Sequence, residues 1–310
     1  MQTFKTKNFH PDDREQVVEL FNKLKDKHTN VIYWWPGEEE HTWEYCPCVY
    51  ERDKLIGKGQ IMPISVANPG DNPHVVHQLY MNIKVDPDYD ENSLIKEQLY
   101  EILHEKALQM KAYFSPGFKT FLRVGNFSNE IENNAFFQSI GFKHFSSNFW
   151  MDIDLRADRQ SSIPRFEDQD IEIKMWEMKT EIEEQQYLQV ENKIWPEDAL
   201  TLHRLREYKE RPHWTTFTAF YKGKIIGSVM AWERENEEKT GEIEDVFVVP
   251  EWRNKGIARH LLMLAVHYLQ QKKLDRAILL VLTDNDSALN LYKSVGFKVK
   301  KEEQRFELEI

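Results

Sequence analysis

The sequence predicts two tandem α/β domains, each a mostly antiparallel mixed sheet flanked by helices. Three observations predict it. A chain of 310 residues exceeds one ordinary core and suits two domains of about 150 residues each. Its two halves carry similar stretches in the same order. Within each half, hairpin-type strand pairs precede a strand, helix, strand, helix succession.

The matched stations run as follows. DKLIGKGQI (53–61) and KGKIIGSVM (222–230) are each a turn leading into an apolar strand interrupted by glycine. LYMNIKVDPDY (79–89) and IEDVFVVPEW (243–252) are extended runs stopped by proline. Helical periodicity follows in SLIKEQLYEILHEKAL and in IARHLLMLAVHYLQ. NAFFQSIGF (134–142) and LNLYKSVGF (289–297) close the series. Between the halves, RADRQSSIPRFEDQD (156–170) is polar and proline-punctuated, which reads as a linker. Domain one is therefore expected at 1–157 and domain two at 168–310.

Composition narrows the class of function. The chain is 41% hydrophobic and 13% aromatic, as in globular proteins. It holds no apolar run of about 18 residues to span a bilayer, and MQTFKTKNFHPDDREQ lacks the apolar stretch of a secretion signal. The expectation is a cytoplasmic protein without a membrane partner. A formal charge of −11 argues against nucleic acid, so any phosphate must be held by a local cationic or amide-lined pocket. Cys46 and Cys48 are the only cysteines. They cannot build a disulfide framework, and with His41, His74 or His77 they match no zinc spacing, so free thiols and no metal are expected.

One short segment stands out for chemistry: PEWRNKGIARHLL, residues 250–262. Pro250 ends a β-rich run, and a helical pattern begins near Gly256. A helix start leaves about four amides unpaired and adds the positive end of its dipole, so an anion can settle there. Gly256 lets a phosphate approach without meeting a Cβ. Arg253 and Lys255 add charge, and Ala258 keeps the next turn small. A strand-to-helix turn with merely solvated basic residues is the alternative.

Downstream, AILLVLTDNDSALNLYKSVGFKV supplies a buried strand (277–282), a polar break, a short helix and Gly296-Phe297 opening another strand. Together these segments resemble the GNAT superfamily of N-acetyltransferases, whose signature couples V-x-P-x-x-[RQ]-x-x-G-x-[GA] to N-x-x-A-x-x-L-Y-x-x-x-G-F. Val248, Pro250, Arg253, Gly256 and Ala258 fill the first element; Asn285, Ala288, Leu291, Tyr292, Gly296 and Phe297 fill the second. The resemblance implies acetyl-CoA as co-substrate. Its pyrophosphate would lie over Arg253, Asn254, Lys255, Gly256, Ile257 and Ala258, and its pantetheine arm along Val246, Phe247 and Val248. Asn285 would hydrogen-bond the cofactor, and Tyr292 would protonate the departing thiolate. A strand that splays from its parallel neighbour would leave main-chain groups free for the arm and the thioester oxygen.

An amine with a pKa of about 10.4 is almost wholly protonated at neutral pH, so a base is useful. Strand alternation puts Glu242 and Glu244 on one face with Val246 and Val248. Glu242 best fits the family position for a carboxylate base, with Glu244 as the alternative. Two solvated glutamates and a core aromatic at 292 are the competing structural readings, and Asn285 beside two aspartates is also ordinary loop chemistry.

Ungapped alignment of Pro87 with Pro250 sets Asp90 against Arg253, Ser93 against Gly256 and Ile95 against Ala258. Aligning Gly141-Phe142 with Gly296-Phe297 sets Phe137 against Tyr292 and Glu130 against Asn285. The first half is thus expected to be a degenerate GNAT-like domain that keeps the scaffold without acetyl transfer. This tandem layout is similar to that of the mycothiol synthases, two-domain members of the superfamily. VIYWWPGEEEHTWEY (31–45) reads either as an acceptor lid, with Glu38, Glu39 and Glu40 attracting a cation, or as a loop anchored by core aromatics. IWPEDAL and HRLREYKERPHW, within 194–214, occupy the family's usual acceptor-binding helices. The expected function is transfer of an acetyl group from acetyl-CoA to a primary amine of a small molecule or peptide by direct attack in domain two. A non-enzymatic acyl-CoA-binding sensor is the main alternative, and an interaction scaffold a third.

Overall fold

The computed structural model of the protein describes residues 4–70, 75–89, 92–156, 170–196, 199–235, 237–283 and 286–310. Most of the expected linker, together with His74, Asp90 and Asn285, lies outside them. The chain order is β1 (Lys5–Asn8), α1 (Arg14–Lys27), β2 (Pro47–Glu51), β3 (Lys54–Ser65), β4 (His77–Val85), α2 (Ser93–Lys111), β5 (Thr120–Phe127), α3 (Ile131–Ser139) and β6 (Lys143–Asp154). It continues with β7 (Ile171–Met175), α4 (Glu181–Ile194), α5 (Leu202–Lys209), β8 (Thr215–Tyr221), β9 (Lys224–Glu233), β10 (Thr240–Val248), α6 (Ile257–Gln271), β11 (Arg276–Thr283), α7 (Asp286–Val295) and β12 (Lys298–Glu309). The mixed, mostly antiparallel sheets flanked by helices are those read from the sequence.

Two compact units result: Met1–Asn148 with Lys301–Ile310, and Phe149–Lys300. Each half's last strand is divided. In the first unit the sheet order is β1-β2-β3-β4-β5-β12, so the chain's final residues pair antiparallel with β5 from Glu303↔Phe127 to Glu309↔Phe121. In the second unit it is β6-β11-β10-β9-β8-β7, with β6 entering at Phe149. The division at 148/149 thus falls inside β6, ahead of the 156–170 segment. Both strands are 12 residues long, about twice the common strand length, and each straddles the division between the units.

In the first unit β4 pairs antiparallel with β3 and parallel with β5. Ile95, Leu99, Leu103 and Ala107 give α2 a fully buried stripe at helical spacing against Ile56, Leu79 and Ile83. On the opposite side, Val17, Leu20 and Leu24 of α1 cover Cys46, Cys48, Tyr50 and Leu55. Both cysteines are free and buried. Tyr33 and Trp43 of the aromatic segment pack on this second cluster, while Glu38, Glu39 and Glu40 are exposed. That is the geometry of an anchored loop.

In the second unit α6 presents Ile257, Leu261, Leu262, Ala265, Val266 and Leu269 to the sheet. Burying each large side chain contributes about 1.5–3 kcal/mol. Gly241 permits the close approach: a Cβ there would come within 2.7 Å of Leu269 Cδ1. On the other face, α4 and α5 pack Tyr187, Leu188 and Leu205 against Met230, Trp232 and Phe247. A capping box at Thr180 and Glu183 starts α4, and the Thr201 side chain caps α5.

Candidate active site

The turn between β10 and α6 is built by Pro250, which opens a single 3-10 turn, and by Trp252, whose ring centre lies 4.5 Å from that of Tyr221 in a tilted contact. Arg253 is extended, Asn254 has φ 62° and Gly256 φ 79°. Left-handed residues at 254 and 256 are the kind of backbone from which anion-binding turns are made. No side chain caps the first turn of α6, and a Cβ on Gly256 would meet nothing within 4 Å. Arg253, Asn254, Lys255 and Gly256 are exposed and Ala258 is half-buried; the Ile257 side chain belongs to the core, leaving its main chain toward the turn. Arg253 Nε donates to the Val248 carbonyl at 3.1 Å, and Lys255 Nζ sits 5.4 Å from the Trp252 ring centre.

Upstream, the ladder between β10 and β9 slips. Glu244 faces Met230 and Phe247 faces Ser228, so Asp245 and Val246 together oppose the single residue Val229. Asp245 takes φ 49°, a conformation that aspartate tolerates and β-branched residues resist. This bulge corrects the expected alternation. Glu242 and Glu244 share a face with Phe247, the side of α4 and α5, whereas Val246 and Val248 turn with Ile243 to the α6 core. Period-2 alternation fails because the strand gains a residue.

On its other edge β10 parts from β11. Parallel pairing covers Thr240↔Arg276, Gly241↔Ala277 and Glu242↔Ile278, and among the described residues it goes no further although both strands continue. Main-chain groups of 243–248 along that edge therefore stand beside an opening between the strands.

The carboxylates around the bulge differ in environment. Glu242 accepts from Trp232 Nε1 at 3.1 Å and lies 3.8 Å from Arg234 Nε. Glu244 makes no ion pair among the described residues. Burial, reinforced by the charges of Glu242 and Asp245 and opposed by Arg204, pushes its pKa up to about 7. Asp245 accepts from the Tyr187 hydroxyl. Burial raises it to about 6 against the pull of its Tyr187 and Trp195 donors. Asp245, Tyr187, Trp195 and Arg204 were not singled out by sequence; two adjacent acids interrupting the alternation at 244–245 are the signal that could have located the bulge.

Tyr292 lies on α7 in the α6-side core, its ring edge-on to Phe297. Burial first, then the charge of Glu244, raises its pKa, so the phenol keeps its proton through neutral pH. Tyr292 belongs to the α6-side core and Glu244 to the α4/α5 side of β10.

The first unit has the corresponding elements in a closed form. The Asn92 side chain accepts from Leu94 N at the start of α2, occupying the helix N-terminus. Pairing of β4 with β5 ends at Met81↔Val124, and beyond it the space is filled. Asn133 Nδ2 donates to the Ile83 carbonyl at 3.2 Å and to Asn126 Oδ1 at 2.9 Å. Lys84 and Glu130, both 2% exposed, form an ion pair beside them. Phe137 is buried where the second unit has Tyr292.

Comparison with known proteins agrees with this geometry. Residues 176–297 match the acetyltransferase (GNAT) family model. A mycothiol acetyltransferase of Thermobifida fusca is 29% identical over 136 residues, 38% of this chain and 41% of that protein. One of Tsukamurella paurometabola is 36% identical over 77 residues, 24% of this chain and 26% of that protein. The chain thus matches less than half the length of these relatives. Among solved structures, a GCN5-related N-acetyltransferase from Sphaerobacter thermophilus has a TM-score of 0.68 at 16% identity, covering 99% of this chain and 95% of its own. A tandem GNAT protein from the clavulanic acid biosynthesis pathway has a TM-score of 0.59 at 11% identity, covering 99% and 98%. These two share the fold. Residues 176–297, about two fifths of the chain, are thus similar to the GNAT acetyltransferase family.

Proposed function

We propose that the chain is an N-acetyltransferase whose second unit, which overlaps most of the expected 168–310 domain, moves an acetyl group from acetyl-CoA to a primary amine. The observation that carries this reading is the parting of β10 and β11 after Glu242, next to the uncapped, glycine-led start of α6. An uncapped helix N-terminus with open space over Gly256 fits a pyrophosphate, with the main chain of 253–258 and the free guanidinium nitrogens of Arg253 as its donors. The free edge at 246–248 fits an amide-bearing arm. Because Arg253 takes the Val248 carbonyl, the arm would use Val246 and Phe247. Asn285 keeps its expected cofactor role as part of the proposal.

The chemistry divides between two groups. Glu244, with a pKa of about 7, is substantially ionised at neutral pH and can take a proton from the incoming ammonium. Glu242 is engaged by Trp232 and Arg234 and serves to raise the basicity of Glu244. The amine nitrogen bonds to the thioester carbon and the carbon–sulfur bond breaks; Tyr292, protonated at this pH, gives its proton to the departing sulfur and is restored by the second proton that the nitrogen loses as it becomes an amide. A main-chain N–H beside the bulge would receive the carbonyl oxygen as it becomes negative.

The first unit fits a scaffold without this activity, because its helix start is capped by Asn92 and its strand opening is filled by Asn133, Lys84 and Glu130. The acceptor would be a small-molecule or peptide amine, with neither metal nor nucleic acid required. No helix among the described residues is long and apolar enough to cross a membrane, and a cytoplasmic setting supplies acetyl-CoA. Calorimetric titration of the full chain with acetyl-CoA, followed by thiol release across an amine panel, tests the reading. One equivalent bound and saturable release with an amine are expected. Two equivalents would contradict a closed first unit, and binding without release for every amine would favour the sensor.

A further inference from the structure

The open face beside the bulge carries a second kind of chemistry. Glu242 pairs in register with Ile278, so both point to the same side of the sheet, opposite α6. Alternation along β11 then puts Leu280 and Leu282 on that side, while Ala277, Leu279 and Val281 enter the α6 core. Leu280 is 47% and Leu282 63% exposed. Over β8, β9 and β10 this face is covered by α4 and α5 through Tyr187, Leu205, Met230 and Trp232. Two large aliphatic side chains therefore stand uncovered in a row on the strand next to half-buried carboxylates. Trp195, at the end of α4 and 46% exposed, reaches Asp245 with its indole and presents the rest of its ring.

Resting on the acetyltransferase reading, we propose that the acceptor is a primary amine borne on an apolar body, an alkyl- or arylalkyl-amine, whose ammonium meets Glu244 and Asp245 while its hydrocarbon lies along Leu280 and Leu282. Charge complementarity selects the occupant. Anionic groups at one end of the strip suit an ammonium, and two leucines without a polar partner give no reward to a polyhydroxylated body, whose hydroxyls would lose water without gaining acceptors. Trp195 adds an aromatic face for the ammonium or for an aryl group.

The test is a homologous series, ethylamine through hexylamine, with phenethylamine, ethanolamine and glucosamine, measured as kcat/KM by thiol release from acetyl-CoA. Each methylene laid on the strip is expected to raise kcat/KM about three- to fourfold, with glucosamine and ethanolamine at the bottom. The double substitution Leu280→Ser/Leu282→Ser should flatten the series and lower hexylamine by about tenfold or more. Leu280→Met/Leu282→Met should restore the slope. Both leucines are largely solvent-exposed, and acetyl-CoA affinity measured calorimetrically reports that the variants are folded. A flat series, a preference for glucosamine, or a slope untouched by the serine variant overturns the acceptor class and leaves the acetyltransferase reading standing. Acetyl-CoA bound without thiol release across the whole series overturns both, and failure to bind acetyl-CoA at all removes the cofactor assignment itself.

Discussion

Replacing Glu244 by glutamine separates what this residue does for the fold from what it does for the reaction. Its carboxyl is raised from the ordinary 4.5 to about 7, chiefly by burial and then by its acidic neighbours. Below pH 4.5 the group is protonated folded or unfolded and contributes nothing to pH dependence. Between 4.5 and 7 the folded chain holds a proton that the unfolded chain has released, so stability falls as pH rises through that window. Above 7 the full cost is present, at most about 3 kcal/mol. Glutamine has no proton to lose. Glu244→Gln should therefore match the parent in stability near pH 4.5 and exceed it by up to about 3 kcal/mol at pH 8, or about 6–12 °C in the melting of a unit of this size. Meanwhile kcat/KM should drop about 100-fold, and the parent's rise in rate with a midpoint near pH 7 should vanish. Thermal melts at both pH values, beside a pH–rate profile, read both effects. A variant no more stable than the parent at pH 8 refutes the claim that an ionised carboxylate is held there at a cost; an unchanged pH–rate profile refutes its role as base.

Three further perturbations probe other parts of the molecule. Tyr292→Phe should lower kcat by about 10- to 100-fold with acetyl-CoA affinity intact, and a parental rate would remove the phenol from proton transfer. Gly256→Val places a branched side chain at φ 79° over the open helix start, so acetyl-CoA affinity should weaken at least about tenfold; calorimetry showing parental affinity would displace the pyrophosphate from this turn. In the first unit, Lys84→Met leaves the Glu130 carboxylate buried without its partner and should cost about 3–5 kcal/mol in denaturant unfolding. Lys84→Met with Glu130→Leu should recover most of that loss, and equal costs for the single and double variants would show that the pair is not an isolated unit.

The sequence carried the architecture well because duplicated halves repeat their turn, proline and glycine signals. The basic turn at 250–258 was equally legible: proline, cations and glycine are local instructions, and the structure places them between a strand end and a helix start. Local instructions say nothing about which sheet a strand joins. Gly296-Phe297 announces a strand, and Lys298–Glu309 is one, yet its register opposite Phe121–Phe127 is fixed by partners nearly two hundred residues away. The bulge escaped for a different reason. Strand alternation assumes that every residue has one partner, and Asp245 breaks that rule through a backbone torsion, visible in sequence only as two adjacent acids.

The bulge also explains why the two units diverged in opposite directions from one plan. In the second unit the extra residue at 245–246 turns Glu244 and Asp245 toward one side of β10 and Val246 toward the other. The proposed activity uses this division, with the acceptor on one face of the strand and the cofactor on the other. In the first unit the β3–β4 ladder runs in uninterrupted register from Gly57↔Val85 to Pro63↔Leu79, so alternation is strict and no residue is displaced into the opening. An unbulged strand leaves main-chain carbonyls such as that of Ile83 facing a gap, where an unsatisfied group costs about 1–3 kcal/mol. Asn133 supplies the missing donor from α3. The second unit has Ala288 at the corresponding place, whose side chain carries no donor. Filling the gap satisfies buried groups in the first unit, whereas the activity proposed for the second needs its gap left open.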